Sequence, residues 1–157
     1  MSSASIKKII SCNKKNLIDM ILDIEKYPDF VTWCIEWKIH KKVESEEYVE
    51  IKADLKVGKK FINETYSSLI LYSKKNDTII VTNIEGPLKY LKNEWKFKEI
   101  NNNTQLEFNI DFELKNSFLN IVMKKSFNFG LNKITDAFED RANKLFKWIL
   151  EWVLKIF

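Results

Sequence analysis

The feature that most constrains the fold is a change in the spacing of apolar residues, from every second position to every third or fourth. In the most regular segment one face carries Leu106, Phe108, Ile110, Phe112 and Leu114, and the other carries Glu107, Asn109, Asp111 and Glu113. A period of two predicts a strand with one buried and one solvated face, which is typical of antiparallel sheets. A sheet of this kind needs a covering element over its apolar face.

Other segments extend the same alternation along the chain. In the first, Trp33, Ile35, Trp37, Ile39 and Val43 share one face; in the second, Val49, Ile51, Ala53, Leu55 and Val57 do so. Strands are also predicted over residues 61–72 and 78–84 and around Trp95 and Phe97, and an apolar run at residues 5–11 opens the chain. Polar turn residues at 44–47 and 74–77 separate neighbouring strands, which indicates a meander of hairpins.

Helical spacing occurs at two places. Asn13 is suited to cap a first helix that ends at Tyr27-Pro28, because the residue before a proline is pushed out of the helical region. The final segment repeats at three and four residues through Phe127, Leu131, Ile134, Phe138, Ala142, Leu145, Ile149, Trp152 and Ile156. The predicted fold class is therefore α+β, with an antiparallel sheet of about seven strands wrapped around a long C-terminal helix.

Length and charge limit the number of domains and the kinds of partner that this chain can have. The 157 residues fit one domain, which we place at 1–147, with 148–157 as an apolar extension of the last helix. The net charge of +4 is mild, and Arg141 is the only arginine among 26 basic residues, which argues against DNA as a partner. Cys12 and Cys34 match no metal spacing, and no signal-peptide core is present, so a cytoplasmic location is predicted.

Five short motifs in order carry a family resemblance. They are Tyr27-Pro28-x-Phe30, Gly86-Pro87, Trp95-x-Phe97, Asp111-Phe112-Glu113 and Ala137-Phe138 with Arg141-Ala142. With the order of elements, they resemble the coenzyme Q-binding START-domain family over residues 5–146. Its bacterial members are also called RatA, a proposed ribosome-association toxin, and it lies within the polyketide cyclase-like superfamily. The resemblance implies a helix-grip fold, a hydrophobic tunnel between sheet and helix, and ubiquinone handling for respiration.

The chain departs from the family pattern at three positions. Thr32 stands where the family usually has proline, Leu88 where it has phenylalanine, and Leu69 where it has arginine. The missing arginine weakens any role of that strand in contacting an anion or RNA.

From the matched positions and the inward apolar set we predict the ligand-binding residues. They are Tyr27, Pro28, Phe30, Trp33, Trp37, Tyr66, Gly86, Pro87, Leu88, Leu91, Trp95, Phe97, Phe108, Phe112, Phe127, Leu131 and Phe138. Each aromatic taken singly also fits an ordinary core. Asn63, Thr65 and Ser67 are predicted to point inward as a polar end for quinone carbonyls. No cofactor is expected other than ubiquinone as a bound ligand, and no metal.

The last residues are apolar on most of the helix circumference. Trp148, Ile149, Trp152, Val153, Ile156 and Phe157 are predicted to contact a membrane surface, with Lys147, Glu151 and Lys155 forming a thin polar stripe. Packing on the domain itself or on a dimer partner explains the pattern equally well. The membrane alternative places the protein peripherally on the inner face of the cytoplasmic membrane.

Catalysis has little support in the sequence. His40 lies on the charged face of its strand, where a solvated histidine is expected, and Glu107, Asp111 and Glu113 form a solvated row. The prediction is a non-enzymatic carrier or chaperone for ubiquinone or a related polyisoprenoid lipid that supports respiratory electron transport. The alternatives are a ribosome-binding regulator that blocks subunit association and, less favoured, an aromatase- or cyclase-like enzyme.

Overall fold

The computed structural model describes the backbone of residues 1–31, 33–59 and 62–156, with side chains in these ranges except at 59, 62, 119, 122–130 and 147–156. The elements are β1 (Ser2–Ile10), α1 (Lys14–Leu22), a 3-10 helix (Ile24–Asp29), β2 (Cys34–Glu44), β3 (Tyr48–Lys59), β4 (Ile62–Ser73), β5 (Thr78–Glu85), β6 (Leu88–Ile100), β7 (Asn103–Leu114) and α2 (Ser117–Ile156).

The strands form one antiparallel sheet of seven in the order β1-β7-β6-β5-β4-β3-β2. Five of the six pairings join strands that follow each other along the chain, and the sixth places β1 beside β7. This is the predicted meander, and it confirms the α+β class with a long C-terminal helix. Since β1 and β2 end up at opposite edges, α1 and the 3-10 helix between them must cross from one side of the sheet to the other.

The long helix lies against the apolar face of the sheet. Leu131, Phe138 and Ala142 on α2 are almost completely buried in the same core as Leu106 and Phe108 of β7. An ion-pair cluster adds to this contact, because Lys8 of β1 pairs with Asp136 and, at 3.3 Å, with Glu139 of α2. Helix and sheet thus enclose a common interior.

Two irregularities in β2 make part of the predicted face wrong. Ile35 is 48% exposed and Val43 is 47% exposed, whereas Cys34 is buried and Trp37 and Ile39 pack against the core. The pairing with β3 shifts between Cys34 and Glu36 and again between Ile39 and Lys41. Each bulge changes which side of the sheet the following residues face, so strict alternation fails there.

The helix boundaries also differ from prediction. Asn13 caps α1 as expected, with its side-chain oxygen accepting a 2.8 Å hydrogen bond from the Asn16 amide. However, α1 ends at Leu22, and Pro28 lies inside the following 3-10 helix. In α2, Leu145 is exposed rather than buried. The Gly86-Pro87 turn lies between β5 and β6 as predicted.

The side chains of the predicted membrane-contact set lie outside the described residues, as does the Phe127 side chain. Within the described residues, no helix combines the length and the apolar character needed to cross a bilayer.

Candidate functional site

A partly open cavity of about 530 Å³ lies between the concave face of the sheet, the 3-10 helix and α2. Ligand sites in proteins commonly measure ~300–1,000 Å³. The lining residues come from most elements of the fold: Ile21, Leu22, Ile24, Tyr27, Val31, Trp33, Cys34, Trp37, Leu55, Val57, Gly58, Tyr66, Ser68, Ile70, Ile79, Val81, Leu88, Leu91, Asn93, Trp95, Phe108, Ile110, Phe112, Leu114, Leu131, Ile134 and Phe138.

The wall of this cavity is apolar and uncharged. Among the described lining residues there is no aspartate, glutamate, lysine, arginine or histidine. A charged group entering the cavity would lose hydration without gaining a counter-charge, which is strongly unfavourable. The cavity therefore suits neutral, largely apolar molecules.

Several polar atoms in the wall are already engaged within the protein. The Asn93 side chain accepts a 2.5 Å hydrogen bond from Trp95 Nε1 and donates one of 3.1 Å to the Asn109 carbonyl oxygen. The Tyr27 hydroxyl donates to the Ile21 carbonyl oxygen. These bonds satisfy buried groups and fix the side chains that carry them.

The ionisable groups of the wall are held neutral. Burial raises the pKa of the Cys34 thiol to about 11. Burial also raises the pKa of the Tyr27 hydroxyl far above its ordinary value, with smaller contributions from Cys34 and Asp23. At neutral pH these two residues offer neither a thiolate nor a phenolate, so neither is activated as a nucleophile.

A cluster of edge-to-face aromatic contacts frames the cavity. The Tyr27 ring lies 5.0 Å from that of Phe138, 5.5 Å from that of Phe30 and 6.3 Å from that of Trp37, measured between centroids. Trp95 contacts Phe138 at 5.2 Å and lies closest, at 4.7 Å, to Phe108 on β7. The 3-10 helix, the sheet and α2 are thereby joined through the residues that form the wall.

Most of the predicted ligand-binding residues lie on this wall: Tyr27, Trp33, Trp37, Tyr66, Leu88, Leu91, Trp95, Phe108, Phe112, Leu131 and Phe138. Among the others, the Phe127 side chain lies outside the described residues. Phe30 packs on Tyr27 and Phe138, with the Arg141 guanidinium 5.3 Å from its ring centroid, and Phe97 is a buried core residue. Pro28, Gly86 and Pro87 are not in the lining. Whether the lining residues bind a ligand stays a prediction.

The predicted polar end of the cavity is wrong in its register. Asn63 and Thr65 are exposed, and the Ser67 hydroxyl donates a 2.6 Å hydrogen bond to Asp54 instead of facing the cavity. The inward residues of β4 are Tyr66, Ser68 and Ile70. A shift by one position turns every side chain of a strand to the opposite face, and the apolar residues Leu69 and Leu71 suggested the wrong set.

Some lining residues were missed by the sequence reasoning. Ser68 and Asn93 are buried polar residues of the wall. Val57 of β3 and Val81 of β5 are apolar residues of the wall that were not among the predicted ligand-binding residues. The alternation of β6 could have revealed Asn93, because it lies two positions before Trp95 and shares its face.

The Gly86-Pro87 turn is packed closely at the end of the sheet. Gly86 has a φ of +125°, and a Cβ atom there would lie 2.8 Å from the Thr65 carbonyl oxygen. The Pro87 carbonyl oxygen accepts a 3.0 Å hydrogen bond from the amide of Lys115, just before α2. The turn thus holds the start of α2 against the sheet next to the lining residues Leu88 and Leu114.

His40 is partly solvated, as predicted. Its side chain is 47% exposed and its Nε2 lies 2.8 Å from Asp54 Oδ2 on the neighbouring strand β3. Hydrogen bonds from Ser67 and then His40 hold the pKa of Asp54 below its ordinary value. Within the described part of the chain, no group of three or more histidine, cysteine or acidic residues could hold a metal ion.

A sheet that grips a long helix around an apolar cavity defines a START-like helix-grip protein. The family model for polyketide cyclase / dehydrase and lipid transport proteins matches residues 17–139, and the chain belongs to that family. A START superfamily protein from Mycobacterium smegmatis shares the fold with a TM-score of 0.78 at 16% identity, over 91% of this chain and 98% of that one.

Two of the curated relatives illustrate the range of names. The ribosome association toxin RatA of Rickettsia prowazekii is 31% identical over 94% of this chain and 100% of its own length. The mitochondrial coenzyme Q-binding protein COQ10 of Dictyostelium discoideum is 29% identical over 81% of this chain, and the match spans 62% of that protein.

Proposed function

We propose that this protein binds ubiquinone or a related polyisoprenoid lipid in the cavity and acts as its carrier or chaperone in respiratory electron transport. The observation that carries the proposal is the cavity of about 530 Å³ whose described wall has no charged residue. Similarity to a coenzyme Q-binding protein supports the choice of quinone. The proposed role is non-catalytic and cytoplasmic, with peripheral membrane contact where lipid is exchanged.

The energetics favour an isoprenoid over a charged lipid. Each methylene group moved from water into an apolar site gains ~0.8 kcal/mol, so a few isoprene units supply most of a micromolar affinity. A carboxylate or phosphate group placed among these side chains would find no cation in the described wall. A neutral ring on an isoprenoid chain carries no charge and therefore avoids this cost.

Titration of delipidated protein with a short-chain ubiquinone tests the proposal. Val81 of β5 lines the cavity, and the neighbouring Thr82 does not. Val81→Phe places a larger, rigid ring in the cavity and is expected to reduce binding at least tenfold, while the matched control Thr82→Phe leaves binding unchanged. Absence of saturable binding to the unmodified protein, or equal loss in both variants, would contradict the proposal.

A second candidate function is ribosome association. Its support is the match to a ribosome association toxin over the full length of that relative, and the relatives favour this function more strongly than a ubiquinone role. Lys38, Lys42, Lys52 and Lys56 lie on β2 and β3, toward the edge of the sheet, where they could contact phosphate groups.

Co-sedimentation with purified ribosomal subunits tests the second candidate. At low salt the protein is expected to sediment with a subunit and to lower the yield of joined ribosomes, and reversing the charge of Lys42 and Lys52 should weaken this. Absence of binding at low salt would exclude the function. Val81→Phe, included in the same experiment, separates the two candidates, because ribosome association alone does not require an open cavity.

A further inference from the structure

The Ser68 hydroxyl is a buried polar group without a partner in the described part of the protein. Ser68 lines the cavity and is 3% exposed, and its Oγ atom makes no hydrogen bond to a described residue. Buried polar groups are nearly always paired in folded proteins, because an unpaired one loses its water without compensation. The missing partner must therefore come from the space that the hydroxyl faces.

That space is the cavity. Among the described residues, the unpaired side-chain atom that is completely sealed from solvent is Trp37 Nε1, so the Trp37 indole cannot serve an occupant. Ser68 Oγ is also unpaired but is not sealed in this way. Ser68 pairs with Ala53 of β3 on one side and with Asn83 of β5 on the other, so neighbouring strands enclose its backbone. The open side of its hydroxyl is thus the cavity that Ser68 lines.

The other buried polar side chains of the wall already have partners. Of the described lining residues that are buried, Ser68, Asn93 and Trp95 carry side-chain nitrogen or oxygen atoms. Trp95 Nε1 donates to Asn93 Oδ1 at 2.5 Å, and the Asn93 amide donates to the Asn109 carbonyl oxygen at 3.1 Å. Those bonds hold the wall together, whereas the Ser68 hydroxyl is left for a ligand.

A second hydroxyl lies on the same face of β4. Tyr66 also lines the cavity, is half-buried, and makes no side-chain hydrogen bond to a described residue. Its Cα is two positions from that of Ser68, which is roughly 7 Å along a strand. Burial, with a smaller contribution from Glu64, raises the pKa of the Tyr66 hydroxyl, so this group stays protonated and can donate. The two hydroxyls therefore follow each other along the wall, with Ser68 the more deeply buried.

We propose that Ser68 and Tyr66 form a two-hydroxyl subsite for the polar end of the ligand. Ser68 Oγ–H donates a hydrogen bond to one neutral oxygen, and the Tyr66 hydroxyl binds a second oxygen nearer the solvent. The proposal rests on the proposed function of the cavity and specifies the ligand class, which is a neutral lipid whose head carries at least two oxygen atoms. Hydrocarbons leave both hydroxyls unpaired, and an ionised head brings a charge into a wall with no described counter-charge. A quinone ring meets both conditions.

The test compares two ligands in variants of neighbouring serines. Dissociation constants are measured for a ubiquinone with a ten-carbon tail and for a hydrocarbon of similar size. Ser68→Ala is expected to weaken the quinone about three- to tenfold and the hydrocarbon less than twofold, as for loss of one hydrogen bond. The matched control is Ser67→Ala, because the Ser67 hydroxyl donates to Asp54 at 2.6 Å on the outer face, and it should change neither affinity. Tyr66→Phe should weaken the quinone in the same direction as Ser68→Ala, but less.

Unfolding by urea separates binding from a structural role. Since the Ser68 hydroxyl has no partner among the described residues, Ser68→Ala should leave the urea midpoint of the unliganded protein unchanged. A lowered midpoint, together with equal weakening of both ligands, would show that the hydroxyl supports the fold and would overturn the proposal.

Infrared difference spectroscopy gives an independent readout on the bound quinone. Its carbonyl stretch is expected at a lower frequency in the unmodified protein than in Ser68→Ala, because a hydrogen bond weakens the C=O bond. An identical stretch in both proteins, or the same loss of quinone affinity in Ser67→Ala as in Ser68→Ala, would overturn the subsite while leaving the lipid site intact. Failure of the unmodified protein to bind either ligand would overturn the proposed function and this inference with it.

Discussion

The substitution Phe138→Ala tests how strongly the long helix is held to the sheet. Phe138 is 2% exposed and meets Tyr27, Phe30 and Trp95 edge-to-face at centroid distances of 5.0 to 5.2 Å. These partners lie on the 3-10 helix, the loop after it and β6. One ring on α2 therefore connects the helix to the parts of the fold that close the cavity.

The expected loss of stability follows from these contacts. Replacing a buried phenylalanine by alanine costs ~3–5 kcal/mol, and favourable aromatic pairs contribute ~0.5–1.5 kcal/mol each within that total. The rest of the wall is held by its own strand pairings and aromatic contacts, so it cannot collapse fully around the missing ring. We expect a decrease of ~4 kcal/mol in the free energy of unfolding, a large part of the ~5–15 kcal/mol of a typical domain.

Urea unfolding followed by circular dichroism measures this change. The control is Phe118→Ala, since Phe118 lies on the same helix and is 71% exposed, and its loss should cost less than ~0.5 kcal/mol. If Phe138→Ala lowers the free energy of unfolding by less than ~1 kcal/mol, and the slope of that free energy against urea concentration is unchanged, the ring does not anchor the helix.

Three further predictions concern the backbone and the buried polar groups. Gly86→Ala should lower the free energy of unfolding by at least ~1 kcal/mol, because of its φ of +125° and the 2.8 Å approach to the Thr65 oxygen; an unchanged urea midpoint would contradict this. Thr104→Val should cost ~1–2 kcal/mol, since the completely buried hydroxyl donates a 2.8 Å hydrogen bond to the Cys12 carbonyl oxygen; a neutral effect on thermal unfolding would be the opposite result. Burial raises the pKa of Cys12 and Cys34 from 9.0 to about 11, so the unfolded thiols ionise first, and stability should fall as pH rises from about 9 to 11. Replacing both cysteines by alanine should reduce the loss of stability between about pH 9 and 11. An unchanged dependence of stability on pH in this variant would contradict the role of the two thiols.

The sequence predicted the sheet, its meander and the long helix, because the spacing of apolar residues decides which faces must be buried. Leu106, Phe108 and Phe112 in β7 follow strict alternation and are buried as expected. Ile35 does not, since a bulge after Cys34 changes the facing of the strand, and no residue type marks that bulge.

The cavity was less predictable than the fold. Large aromatic residues such as Trp37 and Trp95 were recognisable as inward-facing, but whether they fill a core or line a space depends on the distance between helix and sheet. The choice between Ser67 and Ser68 illustrates the limit. Apolar residues occur on both faces of β4, so the pattern did not determine which hydroxyl turns outward to Asp54 and which turns inward.

The most direct test of the central claim is the lipid content of the protein purified from a quinone-producing host. The protein is extracted with organic solvent, and the extract is analysed by mass spectrometry beside that of Val81→Phe. We predict a neutral isoprenoid quinone in near-stoichiometric amount from the unmodified protein and a strongly reduced amount from the variant. An extract without quinone, together with no uptake on titration, would contradict the claim that this cavity is a lipid-binding site.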